Sequence, residues 1–376
     1  MTSQQPPKTT LRQSPLHQRH EAAGAKFAEF GGWSMPLEYA GGGVLAEHTA
    51  VRESVGIFDV SHLGTVTVSG ADAIAFGNRV LTNDLDRIEA GKAQYTLLCN
   101  ESGGVVDDMI AYRKADDEIF LVPNAGNTAT VVEILSGAVR AGEDVTVDDQ
   151  HGDFAIIAVQ GPRSDEVLTA IGLPTEIDYM GFVDHEVDGV PLTVCRTGYT
   201  GERGCEVVLP AAAAPELWDR LLTAGESLGI RPAGLGARDT LRTEMGYSLH
   251  GQDISPEITP VQARLGFAIA RKKPEFFGRE ALAAERAAGQ TRTARGLRAA
   301  GRGIPRPGMS VVDADGTEIG VVTSGTFSPT LKTGIALALI DTAHEVGETV
   351  QVVVRNRTEP FEIVKPPFVN PEVRNS

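Results

Sequence analysis

Four times along this chain a short β-like run is followed, across a Gly, Pro or Asn, by a run of helical period. The pairs are TVTVSG then ADAIAFGNRVL, EIFLVPNAGN then TATVVEILSGAV, FAIIAVQGP then RSDEVLTAI, and CEVVLP then AAAAPELWDRLLTAG. Further β-like runs lie between them at 94–99, 105–112 and 192–196. Strands outnumbering helices in this order predict two α/β units of the split-βαβ, ferredoxin-like kind, each a sheet with helices on one face. The likeness among the four segments is one of pattern rather than of residues, so it counts as a weak internal repeat. After about Pro274 the character changes. One helical stretch, 278–288, gives way to ARGLRA, MSVVDADGTEIGVVTSG, IALALI and TVQVVVRN, with a hairpin signal at Asp315 and Gly316. This predicts a separate all-β domain, a small barrel or jelly roll.

The expected fold class is therefore α+β with three domains. A discontinuous first α/β domain takes 16–60 and 150–255, a second takes 61–149 with 256–288, and the β domain takes 289–376. Residues 1–15 read as a disordered polar tail. The start of the chain lacks the apolar stretch of a secretory signal, although Lys8, Arg12 and Arg19 precede the first acid, Glu21, in the manner of an organellar presequence.

Bulk properties remove several classes of function. A formal net charge of -16 argues against nucleic-acid binding, which needs a basic face. No apolar run approaches the roughly 18 residues of a membrane span. Cys99, Cys195 and Cys205 are few, odd in number and unclustered, which fits a reducing cytoplasm better than a disulfide framework. No histidine or cysteine spacing suits a metal, and His17 and His20, which can share a helix face, read as surface or capping residues. Neither a dinucleotide fingerprint, a phosphate-binding loop nor a nucleophile elbow is present. No metal, flavin or nucleotide is expected.

Three segments can carry chemistry. In GGVVDDMIAYR a strand reading sends Asp107 and Asp108 to opposite faces, which argues against a paired-carboxylate site. Asp108, Ile110 and Tyr112 then share one face over about 13 Å, a span suited to an elongated ligand. On spacing alone a solvated strand edge explains the doublet somewhat better. In RTGYTGERGCEVVL a Gly-rich turn holds Tyr199 and Thr200, and the strand after it sets Glu206 and Val208 on one face. A carboxylate in such a strand needs either a nearby arginine or a ligand offering two N–H donors side by side. Cys205 beside it reads as a small core residue. In GLGARDTLRTEMGY, Arg238, Leu241, Arg242 and Met245 form one helical stripe, whose arginines serve either buried ion pairs or a ligand. Finally, Arg286, Arg292, Arg295, Arg298, Arg302 and Arg306 follow one another without an intervening acid. They predict a local positive patch, either a solvated strand face or a dock for an acidic partner or polyanionic tail.

The segments EHTAVRESVGIFDVSH, NESGGVVDDMIAYR, RTGYTGERGCEV, RPAGLGARDTLRTEMGY and TSGTFSPTL stand in an order and spacing that resemble the aminomethyltransferase, or T-protein, of the glycine cleavage system. The resemblance runs from about Leu16 to Phe368. It implies a three-domain cloverleaf around a folate channel, with tetrahydrofolate as cosubstrate and the lipoylated H-protein as partner. It implies a catalytic role for Asp108, pterin recognition by Glu206, and a site role for Arg238. Leu63, Tyr95, Tyr112, Tyr199 and Tyr247 match positions lining the folate site, and a C-terminal contact falls near Arg374. Three residues depart from the family pattern: Leu63 stands for a methionine, His250 for the aromatic of an LYG motif, and Phe267 for a tryptophan. None is expected to touch Asp108, Glu206 or Arg238. Alternatives on the same scaffold are a folate-dependent demethylase and a non-enzymatic folate-binding paralogue. The latter carries a Lys-Gly-Cys-Tyr signature where this chain reads Arg196, Thr197, Gly198, Tyr199.

Overall fold

A computed structural model of the chain describes residues 10–354 and 357–370. The N-terminal stretch forms strand β1 (Arg12–Gln13), helix α1 (His17–Ala22), and strands β2 (Lys26–Phe30) and β3 (Trp33–Glu38), a small sheet in the order β1-β3-β2. Order therefore begins earlier than the tail expected through residue 15. Arg12 pairs with Trp33 in the sheet, its guanidinium sits 4.2 Å over the Trp33 ring, and the buried Ser14 hydroxyl donates to Asp59. His20 is likewise no surface residue. It is 1% exposed, held between Asp59 and the Tyr39 hydroxyl at 2.8 and 2.9 Å.

Helix α2 (Gly43–Glu53) leads into β4 (Gly56–Asp59). Then come β5 (Val66–Ser69), α3 (Ala73–Val80), β6 (Lys92–Cys99), β7 (Val105–Ala115), β8 (Glu118–Val122), α4 (Thr128–Ala138) and β9 (Thr146–Asp149). These five strands make an antiparallel sheet ordered β6-β7-β8-β5-β9. The chain returns to β4 through β10 (Phe154–Gln160), followed by α5 (Ser164–Ala170), β11 (Phe182–Val187), β12 (Val190–Cys195), β13 (Gly204–Pro210), α6 (Ala214–Gly225) and the short β14 (Arg231–Pro232). The result is a six-stranded sheet ordered β11-β12-β13-β10-β4-β14. All four strand-then-helix segments form as their periodicity predicts: β5 with α3, β8 with α4, β10 with α5, and β13 with α6.

Strand alternation decides what each sheet face does. In the first sheet, Met109 and Ala111 of β7 join Phe76 of α3 and Leu135 of α4 in one apolar core. In the second, Cys205, Val207 and Leu209 of β13 pack under Leu168 of α5 and Trp218 of α6. The residues of opposite parity, Ile110 and Tyr112 on β7 and Val208 on β13, meet in a third core between the facing sides of the two sheets, together with Val51 of α2 and with Ala237 and Leu241. Burying these large apolar side chains contributes on the order of 2 kcal/mol each. The same parity sends Asp108 and Glu206 into that interface.

Helix α7 (Leu235–Met245) and a long irregular segment lead to α8 (Arg279–Ala288) and a closed barrel. Its strands are β15 (Arg292–Ala299), β16 (Ser310–Val312), β17 (Glu318–Ser328), β18 (Thr333–Asp341), β19 (Thr349–Val354) and β20 (Arg357–Val364), ordered β15-β18-β17-β16-β19-β20. Closure pairs every edge and fills the interior with Leu297, Val322, Ile340 and Phe361, among others. The TSGTFSPTL motif is the barrel's clasp on α7. Ser324 meets Arg242 and Asp253, while Ser328 and Thr330 donate to Glu244 at 2.5 and 3.0 Å. Among the described residues no helix is long and apolar enough to cross a membrane.

Candidate active site

A cavity of about 810 Å³ opens where the two sheets, α7, the segment after it and the Pro366–Pro367 stretch converge. Its volume lies within the usual range of about 300–1,000 Å³ for small-molecule sites. Asp108, Ile110 and Tyr112 line it from β7, Tyr95 from β6, Glu206 from β13 and Arg238 from α7. Tyr199, Tyr247 and Leu63 line it as well, so eight of the nine anticipated residues, Asp108 included, share one cavity. The ninth, Arg374, lies outside the described residues.

Both oxygens of Asp108 are held. The Tyr95 hydroxyl donates to Oδ2 at 2.9 Å, and the Asn124 amide donates to Oδ1 at 2.9 Å. The same amide nitrogen lies 2.8 Å from Asp107 Oδ1. Alternation thus separates the two carboxylates, as the strand reading requires, yet the Asn124 side chain reconnects them around the strand edge. Asp107, fully buried, also accepts from the Asn124 backbone N–H at 3.0 Å and from the Asn127 amide at 2.7 Å. Burial and the neighbouring Asp108 push its acid up to about 8. Burial also raises the pKa of Asp108, against the hydrogen bonds from Tyr95 and Asn124. The pair titrates as one coupled unit.

On the facing sheet, Thr197 Oγ1 donates to Glu206 Oε2 at 2.5 Å. That uses the only hydroxyl proton of Thr197, so the Tyr112 hydroxyl, 3.1 Å away, is the donor in its contact with Thr197. Among the described residues Glu206 makes no salt bridge, which sets aside the paired-arginine reading. The α7 stripe divides its two arginines between the two anticipated uses. Arg242, 1% exposed, is structural: it bonds Asp239 at 2.6 Å, Asp253 at 2.7 Å and Ser324 at 2.8 Å. Arg238 faces the cavity with its guanidinium 4.5 Å over the Tyr199 ring, and Tyr199 stacks on Tyr247 at 5.7 Å. Burial draws the Arg238 pKa down while Glu206 opposes that shift.

Several cavity residues were not singled out by sequence reasoning. Asn124, in the loop before α4, bridges the acidic doublet across a separation of 16 and 17 residues that no local pattern marks. His62 lines the cavity with a buried Nδ1 that has no hydrogen-bond partner, and burial and the Arg238 charge hold its pKa at about 3. It is therefore a neutral imidazole. Its place in FDVSH was the one available signal.

Two of the departing residues touch partners of the acidic doublet rather than Asp108 itself. Phe267 stacks on Tyr95 at 5.8 Å and so adjoins the hydroxyl donor of Asp108. His250 is linked to the doublet through Asn127, whose amide lies 3.0 Å from its ring and 2.7 Å from Asp107, so each position stands one side chain away from the doublet. The arginine run also fails to make one patch. Arg298 pairs with Glu362 at 2.7 Å and Arg306 bonds the Gly325 carbonyl, both on the barrel. Arg286 instead lies with Arg271 beside Gly266, in the Gly266–Ala268 turn that carries the 67%-exposed Phe267, while Arg295 feels the charge of Arg264. Tertiary structure thus brings Arg271 and Arg286, from two separate stretches, to the turn whose Phe267 lines the cavity.

Comparison with known proteins agrees across the whole molecule. A family model described as the GCVT N-terminal domain matches residues 16–273, and one described as the glycine cleavage T-protein C-terminal barrel domain matches residues 292–370. The chain is 59% identical over 364 residues to the aminomethyltransferase of Parafrankia sp. (strain EAN1pec), covering 97% of this chain and 99% of that one. It is 57% identical over 366 residues to the aminomethyltransferase of Mycobacterium tuberculosis (strain ATCC 25618 / H37Rv), covering 97% and 98%. The crystal structure of glycine cleavage system aminomethyltransferase T from Bartonella henselae matches with a TM-score of 0.91 at 36% identity, over 96% of this chain and 99% of that chain.

Proposed function

Because the chain belongs to the glycine cleavage T-protein family of aminomethyltransferases, we propose that it accepts an aminomethyl group from the dihydrolipoyl arm of the H-protein and passes the methylene carbon to tetrahydrofolate. In this reaction the carbon–nitrogen bond to the departing ammonia and the carbon–sulfur bond to the arm break. Two bonds form from the methylene carbon to folate N5 and N10. The two protons these nitrogens lose go to ammonia and to the thiolate, giving 5,10-methylenetetrahydrofolate. The demethylase and folate-binding alternatives are disfavoured by near-full-length identity to proteins named aminomethyltransferase.

The chemistry is mainly one of positioning, since a folate nitrogen must be held in line with the methylene carbon. As the leaving group departs, iminium-like positive charge develops, and a fixed carboxylate beside it stabilises that charge. Asp108 takes this role and exchanges a proton with the folate nitrogen. The observation that supports it is the geometry of its carboxylate: it faces the cavity with each oxygen held by a neutral donor, Tyr95 or Asn124. Among the described residues no salt bridge to it exists that would neutralise its charge beforehand. Glu206, whose Oε1 has no partner among the described residues, takes the adjacent N–H donors of the pterin edge. Arg238 organises the Tyr199 wall or meets a folate carboxylate.

Asp108→Asn tests the assignment. Turnover falls by about 10²–10³-fold, the range typical of losing a transition-state charge partner, while folate affinity stays within a few-fold. Lost folate binding with unchanged turnover per bound folate would refute it.

A further inference from the structure

The acidic doublet does not end at Asn124. Asn127, which precedes α4, donates from Nδ2 to Asp107 Oδ1 at 2.7 Å, and the same nitrogen lies 3.0 Å from His250 Nδ1. The other ring nitrogen of His250, Nε2, lies 3.0 Å from the Val105 carbonyl oxygen on β7. A carbonyl can only accept, so Nε2 carries the proton. In the neutral ring Nδ1 is then an acceptor, and the two amide protons of Asn127 are committed, one to Asp107 and one to His250. His250 thereby prevents the Asn127 amide from turning its oxygen toward Asp107. A continuous chain runs Val105–His250–Asn127–Asp107–Asn124–Asp108, in which each asparagine amide donates to both of its neighbours.

We propose that His250 is a positioning residue which sets the proton affinity of Asp108 by fixing the donor orientation of Asn127 toward Asp107. The inference rests on the role given to Asp108 above. Every partner of Asp107 in the chain is a donor: the Asn124 backbone, the Asn124 amide and the Asn127 amide. Its arrangement therefore suits the ionised carboxylate, although burial alone opposes ionisation. Each donor withdrawn moves the coupled pair toward keeping a proton. The groups around the pair leave little else to supply that support. From β6 comes the Tyr95 hydroxyl, from the α4 entry the two amides, and from the loop before β13 Tyr199, with Arg238 of α7 over its far side. In the segment after α7, Asp253 is occupied by Arg242, Thr323 and Ser324, which leaves His250 as the group from that segment facing the doublet. The aromatic that the family pattern has at this position offers no acceptor at Nδ1, so the tuning belongs to chains with histidine here.

The sign follows. Without the His250 acceptor, Asn127 is free to rotate, Asp107 loses a donor, and both carboxyl groups of the pair hold protons to higher pH. In His250→Phe the acidic limb of the kcat profile moves up by about one pH unit. His250→Asn, whose side-chain oxygen reaches the Nδ1 position, returns the limb close to the parent. His250→Gln, which mimics Nε2 and leaves Asn127 unanchored, does not. An infrared titration of the side-chain carboxyl bands, with Asp108→Asn as the reference for assigning them, follows the same shift without turnover. It still reads the network if Asp108 proves not to act on substrate, so failure of the catalytic assignment and of this proposal are separable. An unmoved carboxyl titration in His250→Phe would overturn the proposal, as would equal limbs in the Asn and Gln variants. A drop in melting temperature shared by all three with no change in pH profile would reduce His250 to a packing residue and likewise overturn it.

Discussion

Replacing Glu206 by glutamine separates ligand recognition from stability with little steric disturbance. Glu206 holds one hydrogen bond among the described residues, from Thr197 at 2.5 Å, and no salt bridge. In Glu206→Gln the new side chain would keep that bond by turning its carbonyl oxygen to Thr197, which is itself fixed by Tyr112 at 3.1 Å. The amide nitrogen then faces the ligand, so the pterin edge meets one donor where it had an acceptor. Losing a charge-assisted hydrogen bond costs about 1.5–3 kcal/mol, and opposing two donors adds about 1 kcal/mol of unsatisfied burial. The sum, about 2.5–4 kcal/mol, corresponds to roughly 70- to 900-fold weaker folate binding. Because no ion pair is broken, the melting temperature should move by less than about 2 °C. The assay is titration calorimetry with tetrahydrofolate alongside thermal unfolding of the same preparations. A loss of under about fivefold in folate affinity, or a large drop in stability with affinity intact, would refute the argument and return Glu206 to a structural role.

Two other outcomes follow from groups away from that wall. Glu244, buried under the barrel clasp with Arg52, Ser328 and Thr330, has its pKa lowered to about 2 by hydrogen bonds and the charges of His48 and Arg52, which overcome burial. A folded pKa below the ordinary value of 4.5 means that its stabilisation is present above pH 4.5 and is lost as pH falls toward about 2. Glu244→Gln should therefore destabilise at neutral pH by about 3–5 kcal/mol and flatten the acid dependence of unfolding in that window, read by chemical denaturation at several pH values. Arg271→Glu with Arg286→Glu reverses the charges flanking the Phe267 turn, where an added methyl at Gly266 would lie 3.3 and 4.0 Å from their guanidinium nitrogens. If an acidic carrier docks there, its KM rises about tenfold and loses most of its salt dependence; an unchanged KM across ionic strength excludes this surface.

Much of the architecture was legible in local pattern because local pattern is what causes it. Alternation over Val105–Ala115 and Gly204–Pro210 decides which side chains can pack under α3 to α6, and the opposite parity leaves Asp108, Tyr112 and Glu206 on the other faces. Nothing local says that those two faces meet. The cavity that Asp108 lines is completed by the opposing sheet, whose strands lie far along the chain. The fate of Arg238 and Arg242, four residues apart on one helix, shows the same boundary. The stripe places both toward the interior, but only the arrival of Asp253 and Ser324 makes one a structural pin while the other keeps its guanidinium for the cavity.

By itself, then, the sequence determined the elements, the parity of each strand and the identity of the acidic doublet, since these depend on neighbours within a few residues. Tertiary structure decided the rest. It brought Asn124 and Asn127 to the doublet, split the arginine run and assembled a new cluster from two stretches, and set His250 against the end of the carboxylate chain. The contacts around the doublet join polar groups in a largely buried setting, where strength depends on geometry and local dielectric rather than on residue type. Such contacts exist only once the sheets have closed over them.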